Sequence, residues 1–398
     1  VCDARHDSAE RSPRSVDRAG SGTTNEATGD YTIDDYFVDR AIDIAWLGAG
    51  KTHPNPLVGA VVVKDGRVLG SGYHPRYGED HAETIALEQA GAAARGSTLY
   101  VTLEPCAHHG NTPPCVDHVI RSGVVRVVMS TGDPDERVNG RGVQMLRARG
   151  VRVDVGRRAE RAMLLNMAYF KAKLGLGPAV SLKIALTLDG KIASAPGRSD
   201  EITGDTSRTM AHRLRAIHDG VLVGIDTVLT DSPRLDCRLL GAVRAPVPVV
   251  LDSDLRFPSP HPWLEGRSPV VVTAAGSSVD KERALVRQGA RVIRCPGRKG
   301  SIDVEGVVSA LGEAGVSSLL VEGGGRVFSS FLDAGVWDGL FVFVSPALFG
   351  PNGVNAADRA LSRERIGSVF AGVSEYSGDV LMSFVSAKTY GALRERLL

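Results

Sequence analysis

Apolar residues Tyr36, Phe37, Ala41, Ile44, Ala45 and Leu47 recur at helical spacing, and Gly48 and Gly50 end the run. The pattern then changes: "LVGAVVVKDGRVLGSGY" reads as a β-hairpin turning at Asp65-Gly66. "HAETIALEQAGAAA" predicts a helix, "STLYVTL" a strand, "VDHVIRSG" a short helix and "VRVVMS" a strand. "RGVQMLRARG" and "VRVDV" add one more helix and strand, and "RAERAMLLNMAYFKAKLG" predicts a single helix running to Gly175. A helix, a hairpin and then alternating helices and strands predict a sheet covered by helices, an α/β layer architecture.

After the punctuation "GLGP" the chain restarts with strict alternation in "SLKIALTLDGKIA". Leu182, Ile184, Leu186 and Leu188 are expected on one face, with Lys183, Ala185, Thr187 and Asp189 on the other. Further strands are predicted at "GVLVG", "VPVVLD", "PVVVTA", "ARVIRC", "SSLLVE" and "LFVFVSP", with helices between several of them. The second half is therefore also α/β, and no repeat relates it to the first.

A chain of 398 residues exceeds what one core usually supports, so two domains and a tail are expected: 1–30, 31–175 and 176–398. Residues 1–30 are polar and nearly free of large apolar side chains, a composition that predicts disorder. They lack the apolar middle of a secretory signal and carry more acids than a transit peptide. A formal net charge of +1 argues against nucleic acid or an anionic membrane as partner. No apolar run approaches the roughly 20 residues that span a bilayer. The five cysteines are too few for a disulfide framework, which with the missing leader points to the cytoplasm. Cys237 and Cys295 read as small buried or half-buried hydrophobes.

Cys106 and Cys115 are different, because they frame the stretch "PCAHHGNTPPC". Cys106 follows a strand, and Cys115 follows two prolines that suit a helix start, where a thiol readily becomes a thiolate. Upstream, His81 and Glu83 open a helix. One imidazole and two thiolates give Zn2+ three ligands and leave an exchangeable position, the layout of a catalytic site. Glu83 is then the acid–base group. Zinc deaminases have this arrangement, usually with two residues between the cysteines, where this chain has eight. Taken singly, each of these residues has an ordinary reading as a cap, a surface acid or an incidental thiol. Their order and setting favour the metal.

"THPNPLVGAVVV", "GYHPRYGEDHAETIAL" and "TLEPCAHHGNTPPC" together resemble the RibD family of bifunctional riboflavin-biosynthesis enzymes, over about residues 31–398. The resemblance implies a cytidine-deaminase-like first domain. In it a zinc-held hydroxide attacks the 2-amino carbon of a phosphoribosylamino-substituted diaminohydroxypyrimidine, and Glu83 protonates the ring nitrogen and then ammonia. Asn55 is similar to the family's pyrimidine contact, and His108 is a candidate for the phosphoribosyl arm. His53, His74 and His109 receive no role.

The second half lacks a dinucleotide G-x-G-x-x-G fingerprint but has "LLVEGGGRVFSSFLDAG", a strand, three glycines and a helix. Such a turn suits a phosphate, and it equally suits plain sterics. "SLKIALTLDGKIA", "SDEITGDTSRTMAHRLRAIHDGVLVGIDTVLTDSPRLDCR" and "VEGGGRVFSSFLDAGVWDGLFVFVSP" are similar to the reductase half of the family, which implies a dihydrofolate-reductase-like fold using NADPH. By position the cofactor contacts are then Ala185, Glu201, Thr227, Asp231, Ser253 and the run Gly324, Gly325, Arg326, Val327, Phe328, Ser329 and Ser330. Lys183, Ser199, Arg215, Leu235, Arg238 and Glu322 line the substrate, with Arg215 and Arg238 able to fork onto a phosphate.

Four positions depart from the family pattern. Glu201 stands for a tryptophan and cannot stack, Ser232 interrupts an acidic pair after Asp231, Asp80 replaces a proline and is placed to cap a helix, and Leu57 replaces an asparagine. The partners implied are a small-molecule phosphoribosyl pyrimidine and a second copy, as a dimer or tetramer through the reductase half. Two alternatives stay open on the residues alone. A nucleic-acid base deaminase would need a basic groove with stacking aromatics, against 5% aromatic content. A structural zinc staple would need a fourth protein ligand, for which His108 or His109 is available.

Overall fold

Valine-rich strands build the first sheet, in the order β2–β1–β3–β4–β5. Its strands are β1 (Gly59–Lys64), β2 (Arg67–Tyr73), β3 (Thr98–Leu103), β4 (Arg126–Thr131) and β5 (Arg152–Val155). The hairpin and the β1–β3 pair are antiparallel, and β3, β4 and β5 run parallel. The computed structural model describes residues 31–108, 113–239, 241–242, 245–298, 301–357, 360 and 362–398. The expected disordered tail and His109 therefore lie outside the described residues.

The helices are α1 (Ile33–Ala45), α2 (Ala82–Ala90), α3 (Cys115–Arg121), α4 (Arg141–Ala148), α5 (Ala159–Leu165) and α6 (Met167–Leu174). Alternation along β1 divides the layers: Val61 and Val63 share a buried cluster with α1, while Ala60 and Val62 pack with α2, α3 and α4. Glycine brings the layers close. A Cβ at Gly59 would lie 2.0 Å from the Ala41 carbonyl oxygen of α1, and one at Gly70 would lie 2.1 Å from that of Ala86 in α2.

The second sheet has nine strands, in spatial order Arg291–Cys295, Val270–Ala274, Val247–Leu251, Gly220–Gly224, Ser318–Val321, Ala179–Thr187, Gly339–Ser345, Asp379–Ser386 and Ser368–Tyr376. The first seven are parallel and the last two add antiparallel at the edge. Both faces of the parallel part are covered, which is why these strands read as near-continuous apolar runs. The expected alternation holds to Thr187, where the strand stops, so Leu188 is exposed. One buried cluster runs from Phe37 and Met163 beside the first sheet to Phe341, Phe343 and Leu381 of the second.

The single helix expected before Gly175 is two helices, broken at Asn166. Asn166 is buried, accepts from the Leu57 amide at 2.8 Å and donates to the Leu57 carbonyl at 2.9 Å. The side chain thus completes the hydrogen bonding of a distant loop, and helix continuity gives way to that contact. Replacing Asn166 with Ala strands both Leu57 groups in the interior. We expect a loss of about 2–4 kcal/mol of stability in urea titrations.

Candidate active site

The β2–α2 connection and the β3–α3 connection meet at one end of the first sheet. His81 is the N-cap residue of α2 in an extended conformation, and Glu83 lies in that helix's first turn. His81 rather than Asp80 occupies the N-cap position, and its side chain makes no cap hydrogen bond. Cys106 follows β3, and Cys115 is the first residue of α3 behind Pro114. His81 Nδ1 lies 3.1 Å from Cys115 Sγ and 3.6 Å from Cys106 Sγ, and the Cys115 amide donates to Cys106 Sγ at 3.3 Å. The three ligand atoms all lie within 4.8 Å of one another.

These groups act on one another's protons. Hydrogen bonding from the Cys115 thiol, and then from His81, holds the Cys106 thiol well below its usual range. The bond to Cys106 raises His81 to about 9. A thiolate, a second thiol and an imidazole at this spacing fit the tetrahedral N/S preference of zinc. Glu83 stands beside them rather than among them. It is 3% exposed, its Oε2 is buried without a hydrogen-bond partner among the described residues, and burial raises its carboxyl to about 7.

A cavity of about 390 Å³ opens over this cluster, with Asn55 and His108 in its wall. His74 is the residue whose role the sequence did not reveal. Its Nδ1 donates to the Asp80 carbonyl at 3.1 Å, so Nε2 accepts from Asn55 Nδ2 at 3.2 Å. Burial keeps His74 neutral, consistent with that tautomer. Asn55 Oδ1 is thereby left to meet a ligand. Asp133, Asp135 and Glu104 also line the cavity, and they too were unassigned from sequence. Glu104 accepts from the amides of Gly140 (2.9 Å), Val143 (3.1 Å) and Asp133 (3.4 Å), tying α4 and the loop before it to the Cys106 segment. A carboxylate directly before Pro105-Cys106 at a strand end was the available signal. Tyr169 Oη donates to Asp133 Oδ1 at 2.8 Å, and burial raises that acid to about 6.

In the second half, Lys183 comes from the strand Ala179–Thr187, Glu322 directly follows the adjacent strand Ser318–Val321, and Arg215 comes from the Asp205–Ala216 helix. Arg215 forks onto Glu322, Nε to Oε1 at 2.8 Å and Nη2 to Oε2 at 2.7 Å. In the structure this guanidinium, expected to fork onto a phosphate, is held by a buried carboxylate. Lys183 is packed with its Nζ 5.5 Å from the Phe343 ring centroid, and burial lowers its pKa against the pull of Glu322. Arg238 remains 58% exposed, with Nε 3.4 Å from Asp236 Oδ1. Leu235 is buried at positive φ (47°), so only its backbone can meet a ligand.

The glycine turn explains itself residue by residue. A Cβ on Gly323 would lie 2.6 Å from Val327 Cβ, and one on Gly325 would lie 2.8 Å from the Ala356 carbonyl, so both are required by packing. Gly324 is different. It is the N-cap of the Gly325–Ala334 helix with no side-chain cap, and beside it is Thr227 Oγ1, 3.8 Å from where a Cβ would be. An uncapped helix start of this kind fits a phosphate of a nicotinamide dinucleotide.

Residues 31–131 match the cytidine and deoxycytidylate deaminase zinc-binding region, and residues 178–382 match the RibD C-terminal domain. The chain is 42% identical over 318 residues to the riboflavin biosynthesis protein RibD of Aquifex aeolicus, covering 80% of this chain and 88% of that one. It is 43% identical over 321 residues to RibD of Bacillus amyloliquefaciens, covering 80% and 86%. The chain belongs to the RibD family. Two solved structures of the family superpose on it with a TM-score of 0.61. Acinetobacter baumannii RibD is 34% identical, covering 89% of this chain and 98% of that one. The Thermotoga maritima diaminohydroxyphosphoribosylaminopyrimidine deaminase/5-amino-6-(5-phosphoribosylamino)uracil reductase is 37% identical, covering 89% and 99%. The mixed α/β architecture, a deaminase-like half and a RibD reductase half, is that of the family.

Against the RibD pattern, the remaining positions divide. Phe328 and Ser329 face the interior, while Arg326 is exposed beside Asp226 at 3.8 Å. Ser330 Oγ donates to the Arg326 carbonyl, and Ser253 Oγ to Asp254 at 3.1 Å. Ser199 hydrogen-bonds Asp231, whose carboxyl burial raises. Ala185 lies on the same central strand as Lys183. Glu201, in the tryptophan position, is 83% exposed and paired with Arg208 at 3.2 Å. Its charge is thus partly answered locally.

Proposed function

We infer that this chain catalyses two successive riboflavin-pathway reactions: deamination of diaminohydroxyphosphoribosylaminopyrimidine, then reduction of the ribosyl group of 5-amino-6-(5-phosphoribosylamino)uracil to ribityl. The observation that carries the first is the pairing of a His81–Cys106–Cys115 ligand set with a buried, unpartnered Glu83 oxygen in one cavity. Zinc held by these residues supplies Lewis acidity that makes water nucleophilic at neutral pH. Asn55 orients the pyrimidine through Oδ1, held in place by His74. Glu83 Oε2 carries a proton to the ring nitrogen and then to departing ammonia, and burial keeps bulk water from competing for it. His108 borders the cavity toward the arm of the substrate.

NADPH held along Gly324, Thr227, Asp231, Ser253 and Ala185 supplies the hydride of the second reaction. Lys183 donates to the sugar, with Glu322 opposing the lowering of its pKa by burial, and Arg238 lies at the exposed end for the substrate phosphate. Ser199 and the Leu235 backbone complete the substrate side. The two activities divide near Gly175, where the left-handed cap ends α6. We place the protein in the cytoplasm; no helix among the described residues is long and apolar enough to cross a membrane. Assembly as a dimer or tetramer uses the reductase half, whose edge strand Ser368–Tyr376 exposes Phe370 and Val373.

The test is to assay each half-reaction alone. Zinc-loaded protein is expected to release ammonia from the diaminopyrimidine, and to oxidise NADPH when given the deaminated product. Chelation should abolish the first and spare the second. Ammonia release that survives complete zinc removal would contradict the assignment.

A further inference from the structure

A phosphoribosyl pyrimidine that places its ring at the His81–Cys106–Cys115 cluster must carry its phosphate toward the mouth of the cavity. That dianion meets a wall rich in acids, among them Glu79, Glu104 and Asp133. Among the described residues, Arg137 and Lys173 are the only arginine or lysine side chains that line the cavity. They converge on one atom: Lys173 Nζ and Arg137 Nη2 each lie 2.7 Å from Asp135 Oδ2, with Arg137 Nε 2.9 Å from Oδ1. Both cationic heads are thus one hydrogen-bond length from the same oxygen, close enough for a single phosphate to bridge them. Both also reach solvent, with side-chain exposures of 38% for Lys173 and 65% for Arg137.

A second cavity, of about 360 Å³, adjoins the first. Pro54, Asn55, Pro56, Tyr169 and Lys173 line both, and among these described residues Lys173 is the one with a charged side chain. An arm leaving the metal cluster past Asn55 therefore passes Lys173. Asp135 spends only part of the donor capacity there: an ammonium has three donors, and the guanidinium keeps its Nη1 group.

We propose that Lys173 and Arg137, aligned by Asp135, form the subsite that receives the substrate's phosphate in the deaminase half. The proposal rests on the deaminase reading above and extends it to substrate selection. It makes these two residues determinants of KM for phosphorylated substrate, with no part in the proton transfers at Glu83.

The test compares deamination of the phosphoribosylamino pyrimidine with that of its dephosphorylated riboside, using zinc-loaded wild type, Lys173→Gln, Arg137→Gln and Lys173→Arg. For each Gln variant KM for the phosphorylated substrate is expected to rise about tenfold or more at unchanged kcat. The riboside should show unchanged kinetics in the same preparations, which also reports intact folding. Lys173→Arg should recover most of the lost affinity. Equal losses on both substrates, or no loss on either, would overturn the subsite while leaving the deaminase reading standing. Wild type that deaminates neither compound would overturn that reading and the subsite with it.

Discussion

Glutamine in place of Glu83 is expected to cut ammonia release by about 10²–10⁴-fold while zinc content and NADPH-dependent reduction stay at wild-type levels. The substitution keeps the shape of a side chain that is 3% exposed, so the cavity is preserved. It removes the only property the reaction needs there, an oxygen that takes up and gives back a proton. Glu83 is not one of the three converging ligand atoms, so metal retention is the control that separates proton transfer from metal binding. Zinc lost together with activity would show that Glu83 helps hold the metal instead. Activity within a few fold of wild type would remove it from the mechanism.

Alanine at Glu322 is expected to abolish reduction and to lower stability by about 3–5 kcal/mol. Burial alone would raise this carboxyl, but the Arg215 guanidinium, with Lys183 beyond it, outweighs that and holds it below its ordinary value. A depressed acid contributes its stabilisation above the unfolded-state pKa. The contribution is therefore complete at neutral pH and is lost as pH falls through the folded-state value, below the usual glutamate range. Removing the carboxylate leaves Arg215 and Lys183 buried in the same pocket without their counter-ion. Urea titration at pH 7 reads the stability, and NADPH oxidation on deaminated substrate reads the activity. A variant as stable as wild type would mean that solvent already screens the pair.

What the sequence revealed follows from how locally each feature is encoded. The hairpin at Asp65-Gly66, the strand ends and the helix starts that carry His81, Glu83, Cys106 and Cys115 all depend on neighbours in the chain, and all were legible. The break at Asn166 was not, because it exists to satisfy Leu57, 109 positions earlier. The pairing of Arg215 with Glu322 was equally hidden: each residue alone reads as a ligand for substrate, and only the fold brings them within 2.7 Å. His74 looked incidental until its ring was seen to fix Asn55. Tyr169 and Lys173 sit unremarked within the helix expected before Gly175, yet both line the metal cavity. Each of these features depends on a contact between residues far apart in the chain, which local sequence patterns do not encode.

One coupled assay decides whether a single chain performs both steps in order. Zinc-loaded protein is given the diaminopyrimidine substrate and NADPH, and the loss of NADPH absorbance is followed for wild type and for Glu83→Gln. The account predicts oxidation by wild type, its loss in the variant, and full recovery of the variant when already deaminated substrate is supplied. Oxidation by Glu83→Gln at the wild-type rate on the diamino substrate would contradict it, because reduction would then not depend on deamination at the Glu83 site.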